Sequence, residues 1–335
     1  MAKRLLSFVL SLLLTTTFLT PPAKAATVKI AIAYEVGGKG DNGVNDLAYI
    51  GLERAIKKYK LSRLDIREQI TDGTLGDRIT RVRFLAKSKY QLIICVGPGY
   101  ADTVKRIANE FPNTQFAIID DESVGLTNVS NLSFATSEAV YFAAAAMASV
   151  SKSGKIGFIS EKSSVNVNSY GSAFTRGAVA ANPKIKVSNL LVDQVVSEEV
   201  KKQVSSGVDQ ILSTWSKSDE VISTVAALNS GANKSFVSGL LPEQYFLNFS
   251  AGKKNQYLVI KKRFDIAVEQ IIATELVGKN MLDILDANKG IYGHRYNLKD
   301  GGLSVNLVNG GSFSTKTLKI LEDLKAGRVK NITKQ

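Results

Sequence analysis

Gly38-Lys39-Gly40-Asp41-Asn42-Gly43 has the G-x-G-x-x-G spacing of a dinucleotide-binding turn. Glycines at those positions let the backbone approach a pyrophosphate that sits on the N-terminus of the following helix. Here Glu35, Val36 and Gly37 separate the turn from the preceding strand, and Glu68 is only a loose match to the acidic residue that would hold a ribose. The plainer reading is a tight turn whose glycines take positive φ. Asp41 and Asn45 then have two uses open to them, contact with a ligand or capping of the helix that follows.

Other reactive groups are sparse. The single histidine, His294, lies in a tyrosine-rich stretch with Tyr292 and Tyr296 and has no Cys or His beside it. Asp120-Asp121 would alternate faces on a strand and Glu198-Glu199 would sit side by side on a helix, so neither pair aims two carboxylates at one substrate. Asp120 reads as a strand-end or hinge residue. The only cysteine, Cys95, is inside the apolar run LIICVG and reads as a small buried hydrophobe. No catalytic residue, metal site or cofactor is assigned.

The elements that must position these residues alternate. Residues 28–34 read as a strand, followed by a helix with Ala48, Leu52, Ala55, Ile56 and Tyr59 on one face. Strands over Asp65–Ile70, Leu92–Val96 and Phe116–Ile119 follow, separated by helices over Asp77–Ser88 and Ala101–Phe111. A second series begins with a helix over Glu138–Val150 and continues through strands at Ile156–Ile159, Val187–Leu191, near Ile211 and at Phe236–Ser238, with helices between them. Tyr257–Ile260 is a short extended stretch. A helix carrying Ala267, Val268, Ile271 and Ile272 comes next, and a C-terminal helix carries Leu318 and Leu321. Strands alternating with amphipathic helices imply parallel, doubly wound α/β sheets, and roughly three hundred mature residues are enough for two cores.

The chain begins with a basic pair (Lys3, Arg4), an apolar stretch from Leu5 to Leu19 and an Ala23-Lys24-Ala25 cleavage pattern, so residues 1–25 read as a signal peptide. That stretch is polar at Ser7, Ser11 and Thr15–Thr17 and falls short of the ~20 apolar residues of a membrane span. The product is expected to be exported, periplasmic or extracellular, and soluble after cleavage near Ala25. A lipid-anchoring signal would need a cysteine just after that site, where none stands. The formal charge is +13, from 43 lysines and arginines against 30 acidic residues, and three of the basic residues are in the leader. The positive residues are scattered, as in Lys57, Lys58 and Lys60, without interleaved aromatics, which argues against a nucleic-acid partner. Attraction to an anionic membrane surface or an anionic ligand is the economical use of such a charge.

Several segments, in order, resemble the basic membrane protein family of ABC-transporter substrate-binding proteins, similar to the PnrA-like purine nucleoside receptor lipoproteins. The carriers are VGGKGDNGVNDLAYIGL, VGPGYADTVKRIANEFPNTQFAIID, SEAVYFAAAAMASVSKSGKIGFI and YGSAFTRGAVAANPKIKV, with KKRFDIAV and LKDGG near the end. The resemblance covers essentially the whole mature chain. It implies a type I periplasmic-binding-protein fold, two Rossmann-like lobes joined by several crossings. The expected N-terminal lobe is 26–134 with 261–297, and the C-terminal lobe 135–260 with 298–335.

It also implies a receptor that closes on a small polar ligand, a nucleoside in that family, and delivers it to ABC permease and ATPase subunits. A monomer is expected. In the family the base stacks on aromatics while ribose hydroxyls meet carboxylates and a lysine, chemistry that aromatic faces and paired acceptors supply. Carried onto this chain, the ligand residues are Asp41, Asn45, Tyr100, Asp102, Gln244 and Lys262. Lys262 stands in Lys261-Lys262-Arg263, which composition alone reads as a solvated charge run.

The sequence also departs from the family. Val44 replaces the usual phenylalanine before Asn45, and the G-V-D-S-D-Q segment reads Gly239-Leu240-Leu241-Pro242-Glu243-Gln244, putting Leu241 where an aspartate meets the sugar. Trp215 is either a replacement stacking platform or a core aromatic. The ligand therefore stays open between a nucleoside and a sugar. A sensory receptor of the same fold and an exported dinucleotide-dependent oxidoreductase are the readings from other classes.

Overall fold

The computed structural model describes residues 28–164, 166–193, 196–215, 218–229, 234–240 and 250–334. The leader and Leu241 to Gln244 lie outside them.

The first series runs β1 (Ile30–Tyr34), α1 (Val44–Tyr59), β2 (Ile66–Ile70), α2 (Leu75–Lys87), β3 (Leu92–Val96), α3 (Ala101–Glu110), β4 (Gln115–Ile119) and β5 (Val129–Phe134). The chain then enters α4 (Thr136–Val150), β6 (Lys155–Glu161), α5 (Val167–Ala181), β7 (Lys186–Val192), α6 (Val196–Ser205), β8 (Gln210–Ser213), α7 (Ser218–Leu228), β9 (Phe236–Gly239), α8 (Ser250–Lys254) and β10 (Gln256–Lys262). It returns through α9 (Phe264–Leu276), β11 (Asp283–Asp286) and β12 (Ile291–Tyr296), and ends with β13 (Leu303–Leu307) and α10 (Thr315–Lys325).

Two sheets result. The first has the order β11-β12-β5-β4-β3-β1-β2 and the second β13-β10-β9-β8-β6-β7. All neighbours pair parallel except at β11 and β13, the antiparallel edge strands. Each sheet is covered on both faces. Leu52, Ala55, Val268 and Ile272 of α1 and α9 close one face of the first sheet, while Val82, Leu85, Val104 and Ile107 of α2 and α3 close the other. In the second lobe α4, α5 and α10 cover one face and α6 and α7 the opposite one. Helix α4 is buried from Ala139 to Ala148, which explains why its sequence, VYFAAAAMA, is apolar all round.

Two glycines of the family-like blocks set helix spacing. A Cβ on Gly51 would overlap the Asp265 carbonyl of α9, and one on Gly177 would overlap the Tyr141 carbonyl of α4. Glycine there lets each helix pair approach to backbone distance.

The sequence did not announce β5, β11, β12 or β13. Strand β5 reads VSNLSF, and its interior residues are polar as well as apolar: Asn131 is fully buried, donating to the carbonyls of Val124 and Tyr292 and accepting from the Val124 N–H. A buried asparagine that satisfies its own amide looks like a loop residue in a hydropathy pattern.

Candidate functional site

The chain passes between the two sheets at three places, from β5 to α4, from β10 to α9 and from β12 to β13. These crossings are bonded to one another. The Ala135 N–H donates to the Tyr296 carbonyl at 2.7 Å, and the Arg263 N–H to the Gly302 carbonyl at 2.9 Å. Each crossing also carries an aromatic ring. Phe134 stacks on Phe264 and on Tyr296, both with ring centroids 5.4 Å apart. This stack joins the cores of the two lobes, because Phe134 packs against both.

Above it is a cavity of about 740 Å³. Asp120, Asp121, Glu122 and Phe134 enter it from the carboxyl ends of β4 and β5, Glu138 and Tyr170 from α4 and α5, and Lys262 from the end of β10. This is where open α/β sheets hold ligands. Residues of the C-terminal tail, Ile332 and Thr333, reach the same cavity.

Lys262 is the charged centre of the floor. Its ammonium donates to both oxygens of Asp120, at 2.8 and 2.7 Å, and the residue is only 7% exposed. Asp120 is held at φ 68, a left-handed conformation that turns the chain out of β4 toward the cleft. At the rim Arg295 pairs with Glu122 at 2.6 Å. Asp121 accepts from the Ser123 N–H and hydroxyl, and neither Asp121 nor Glu138 has a cationic partner among the described residues. Burial raises the Glu138 carboxyl above the usual range, a hydrogen bond from the Leu298 backbone pulls it back, and Asp300 raises it further. Among the described residues the cleft thus carries more carboxylate than cation, in a basic protein. Both cations that line it, Lys262 and Arg295, are already paired.

Of the residues expected at the ligand, Lys262 lines this cavity. Asp41 and Asn45 sit in the β1–α1 turn, where their side chains are engaged by the turn itself. The Asp41 carboxylate accepts the N–H groups of Gly43, Asn45 and Asp46, so it caps α1. Asn45 is buried; its Oδ1 accepts the Glu35 N–H at 3.0 Å and its amide faces the Glu35 and Val36 carbonyls. The helix N-terminus that a dinucleotide pyrophosphate would use is therefore occupied by a carboxylate of the chain, and Glu68 is bound to Tyr34 and Lys39.

Tyr100, expected at the ligand, sits in the core of the first lobe. It is fully buried, its hydroxyl donates to the Tyr34 carbonyl at 2.8 Å, and its ring faces the Arg78 guanidinium. Asp102 is exposed in the first turn of α3 and is not among the residues that line the cavity. Trp215 packs in the apolar cluster of α6 and α7, and its indole N–H meets no acceptor among the described residues. Gln244 lies outside the described residues.

Sequence reasoning assigned no ligand role to Asp120, Phe134, Glu138 or Tyr170. The one available signal was position, since Asp120 and Phe134 both stand at strand ends and Tyr170 opens the YGSAF block. Lone His294 is bracketed by carboxylates, Asp283 at 2.7 Å and Asp300 at 3.4 Å, on the β11–β12 hairpin and the following turn. Cys95 is buried in β3, where burial pushes its thiol well above the ordinary range. Among the described residues no helix is long and apolar enough to cross a membrane, and no group of side chains is assembled as a metal site.

Known proteins share this architecture. An ABC transporter solute-binding protein from Aeropyrum pernix superposes with a TM-score of 0.63 at 18% identity, covering 91% of this chain and 87% of that one. A transcriptional activator of the comK gene from Bacillus halodurans gives 0.67 at 18% identity, covering 90% and 98%. At such identities the likeness concerns the fold, which is of the type I periplasmic-binding-protein kind. In sequence, the CD4+ T-cell-stimulating antigen of Listeria monocytogenes is 24% identical over 54% of this chain and 53% of its own length, so the chain spans about half of that relative. The ABC transporter nucleoside-binding protein BmpA of Lactococcus lactis is 26% identical over 85% of this chain and 83% of its own. The model of the Bmp family, described as ABC transporter substrate-binding protein PnrA-like, matches residues 28–321, and the chain belongs to that family.

Proposed function

We propose that the protein is the extracytoplasmic receptor of an ABC importer and binds an uncharged nucleoside, or a comparable polar ring compound with neighbouring hydroxyls, in the cleft above Lys262. The carrying observation is the Lys262–Asp120 pair at the junction of the lobes, with Phe134 and Tyr170 lining the same cavity. A carboxylate held by an ammonium keeps lone pairs for two vicinal hydroxyls, and ring faces offer stacking to a base. The excess of carboxylate over cation among the described lining residues supports a ligand without phosphate. Contacts to both lobes would favour the closed state only as far as they differ between open and closed forms. Permease and ATPase subunits would read the closed shape.

A sugar is the second reading, favoured by Leu241 and Val44, which remove an aspartate and a ring from the nucleoside pattern. Thermal unfolding in the presence of nucleosides, nucleotides, sugars and amino acids decides between them. A specific ligand at a hundredfold excess over its Kd stabilises by about 2.7 kcal/mol. Nucleosides are expected to raise the Tm and their monophosphates to fail. A shift with sugars alone would replace the ligand and leave the receptor role. Turnover of a shifted ligand would end the proposal.

A further inference from the structure

Strands β6 to β10 all run toward the cleft, so the loops that enter them gather at the opposite edge of the second sheet. That edge is built from lysines. Lys152 and Lys155 precede and open β6, Lys184 and Lys186 precede and open β7, Lys234 precedes β9 and Lys254 ends α8 before β10. The register brings them together. Lys155 lies opposite Lys186, the Asp209 N–H donates to the Lys155 carbonyl, and the Phe236 N–H donates to the Asp209 carbonyl. All six except Lys155 are exposed.

Asp209 is the one acidic residue among the described residues of these entry loops, and its carboxylate is already engaged. It accepts from the Ser151 hydroxyl and from the N–H groups of Lys152 and Ser153 at 2.6 to 2.9 Å. Helix dipoles favour cations at helix C-termini, but Lys155 and Lys186 open strands and Lys234 lies in a loop, so that effect does not account for the cluster. Between Lys152 and Lys234 is a concavity of about 530 Å³ edged by Val150, which is 41% exposed.

The kind of cation indicates the partner. Protein interfaces are depleted in lysine and enriched in arginine and aromatic residues, and this edge shows the reverse. Lysine is a flexible point charge without the planar fork that reads a particular carboxylate or base. Such a set suits a surface of many equivalent phosphates.

We propose that this edge of the second lobe is an electrostatic contact for a bilayer rich in anionic phospholipid, which holds the receptor at the membrane without insertion. Each lysine at such a surface contributes on the order of fivefold in partitioning, and salt screens the effect.

Sedimentation of the exported protein with vesicles tests it, using phosphatidylcholine alone and phosphatidylcholine mixed with phosphatidylglycerol. Binding is expected only to the mixed vesicles and to fall steeply as salt is raised. Lys184→Gln, Lys186→Gln and Lys234→Gln together should weaken it by roughly a hundredfold. Removing equal charge from the first lobe, as Lys57→Gln, Lys87→Gln and Lys105→Gln, should weaken it far less. Melting curves establish that both triple variants are folded. Equal losses in the two variants, equal binding to both vesicle types, or salt-sensitive binding to soluble polyglutamate but not to vesicles would each overturn the proposal.

Discussion

Lys262 and Asp120, 142 residues apart in the chain, form a two-oxygen ion pair at the point where the strands of one lobe hand over to the helices of the other. The lysine is almost wholly buried and the aspartate is partly open to the cleft, at 9% and 23% side-chain exposure. Removing the ammonium leaves a half-buried carboxylate unneutralised. Lys262→Met is expected to destabilise the protein by about 2 kcal/mol, below the range for fully buried pairs because water reaches Asp120. Urea unfolding reads this. On the proposed function, the same variant loses the ligand-induced Tm shift.

Asn45 separates a structural role from a ligand role. Its side chain joins α1 to the exit of β1 through the Glu35 backbone. Asn45→Ala is expected to cost about 1–3 kcal/mol, since the Glu35 N–H loses its acceptor in a buried setting. If Asn45 acts only on the fold, ligand affinity extrapolated to the folded fraction stays unchanged. A large loss of affinity with full stability would give the residue to the ligand.

Gly51 and Gly177 make a packing prediction. Either residue changed to alanine pushes a methyl group into a backbone carbonyl that cannot swing away. Each substitution is expected to lower stability by about 1–3 kcal/mol. A control in another helix, Gly76→Ala in α2, meets nothing within 4 Å and should be neutral or mildly stabilising. Chemical denaturation of the three variants in parallel checks the contrast.

Asp77 makes a pH prediction. Its hydrogen bonds with Arg81 first, and those from the Asp72 backbone and Thr71, hold the carboxyl down at about 2 against burial. A folded-state value below the unfolded one means stability that is present above the unfolded value of 3.8 and lost as pH falls toward 2. Asp77→Asn should be less stable than the parent at neutral pH, and the two should converge across that window. Thermal melts in a pH series measure the convergence, and parallel curves would show that Asp77 is not the titrating group.

Much of the architecture is written in local pattern. Residues 28–34, 92–96 and 116–119 are apolar enough to be strands and little else, and helices such as Val104-Ile107-Ala108 show their buried face at helical spacing. The family blocks were legible too, and Gly51 and Gly177 explain physically why two of them contain glycine.

What the sequence did not determine was the company each polar residue keeps. Asp41, Asn45 and Tyr100 have the right types for a ligand site, yet the fold directs their polar atoms to backbone groups of their own lobe. Lys262 looked like one charge in a solvated run, and only the return of β10 to the junction set it against Asp120. Strand β5 hid because Asn131 buries an amide that distant residues satisfy. In each case the deciding partner is remote in sequence, and desolvation favours whichever arrangement pairs every buried polar group. Composition records how many such groups there are; tertiary structure alone decides which of them meet.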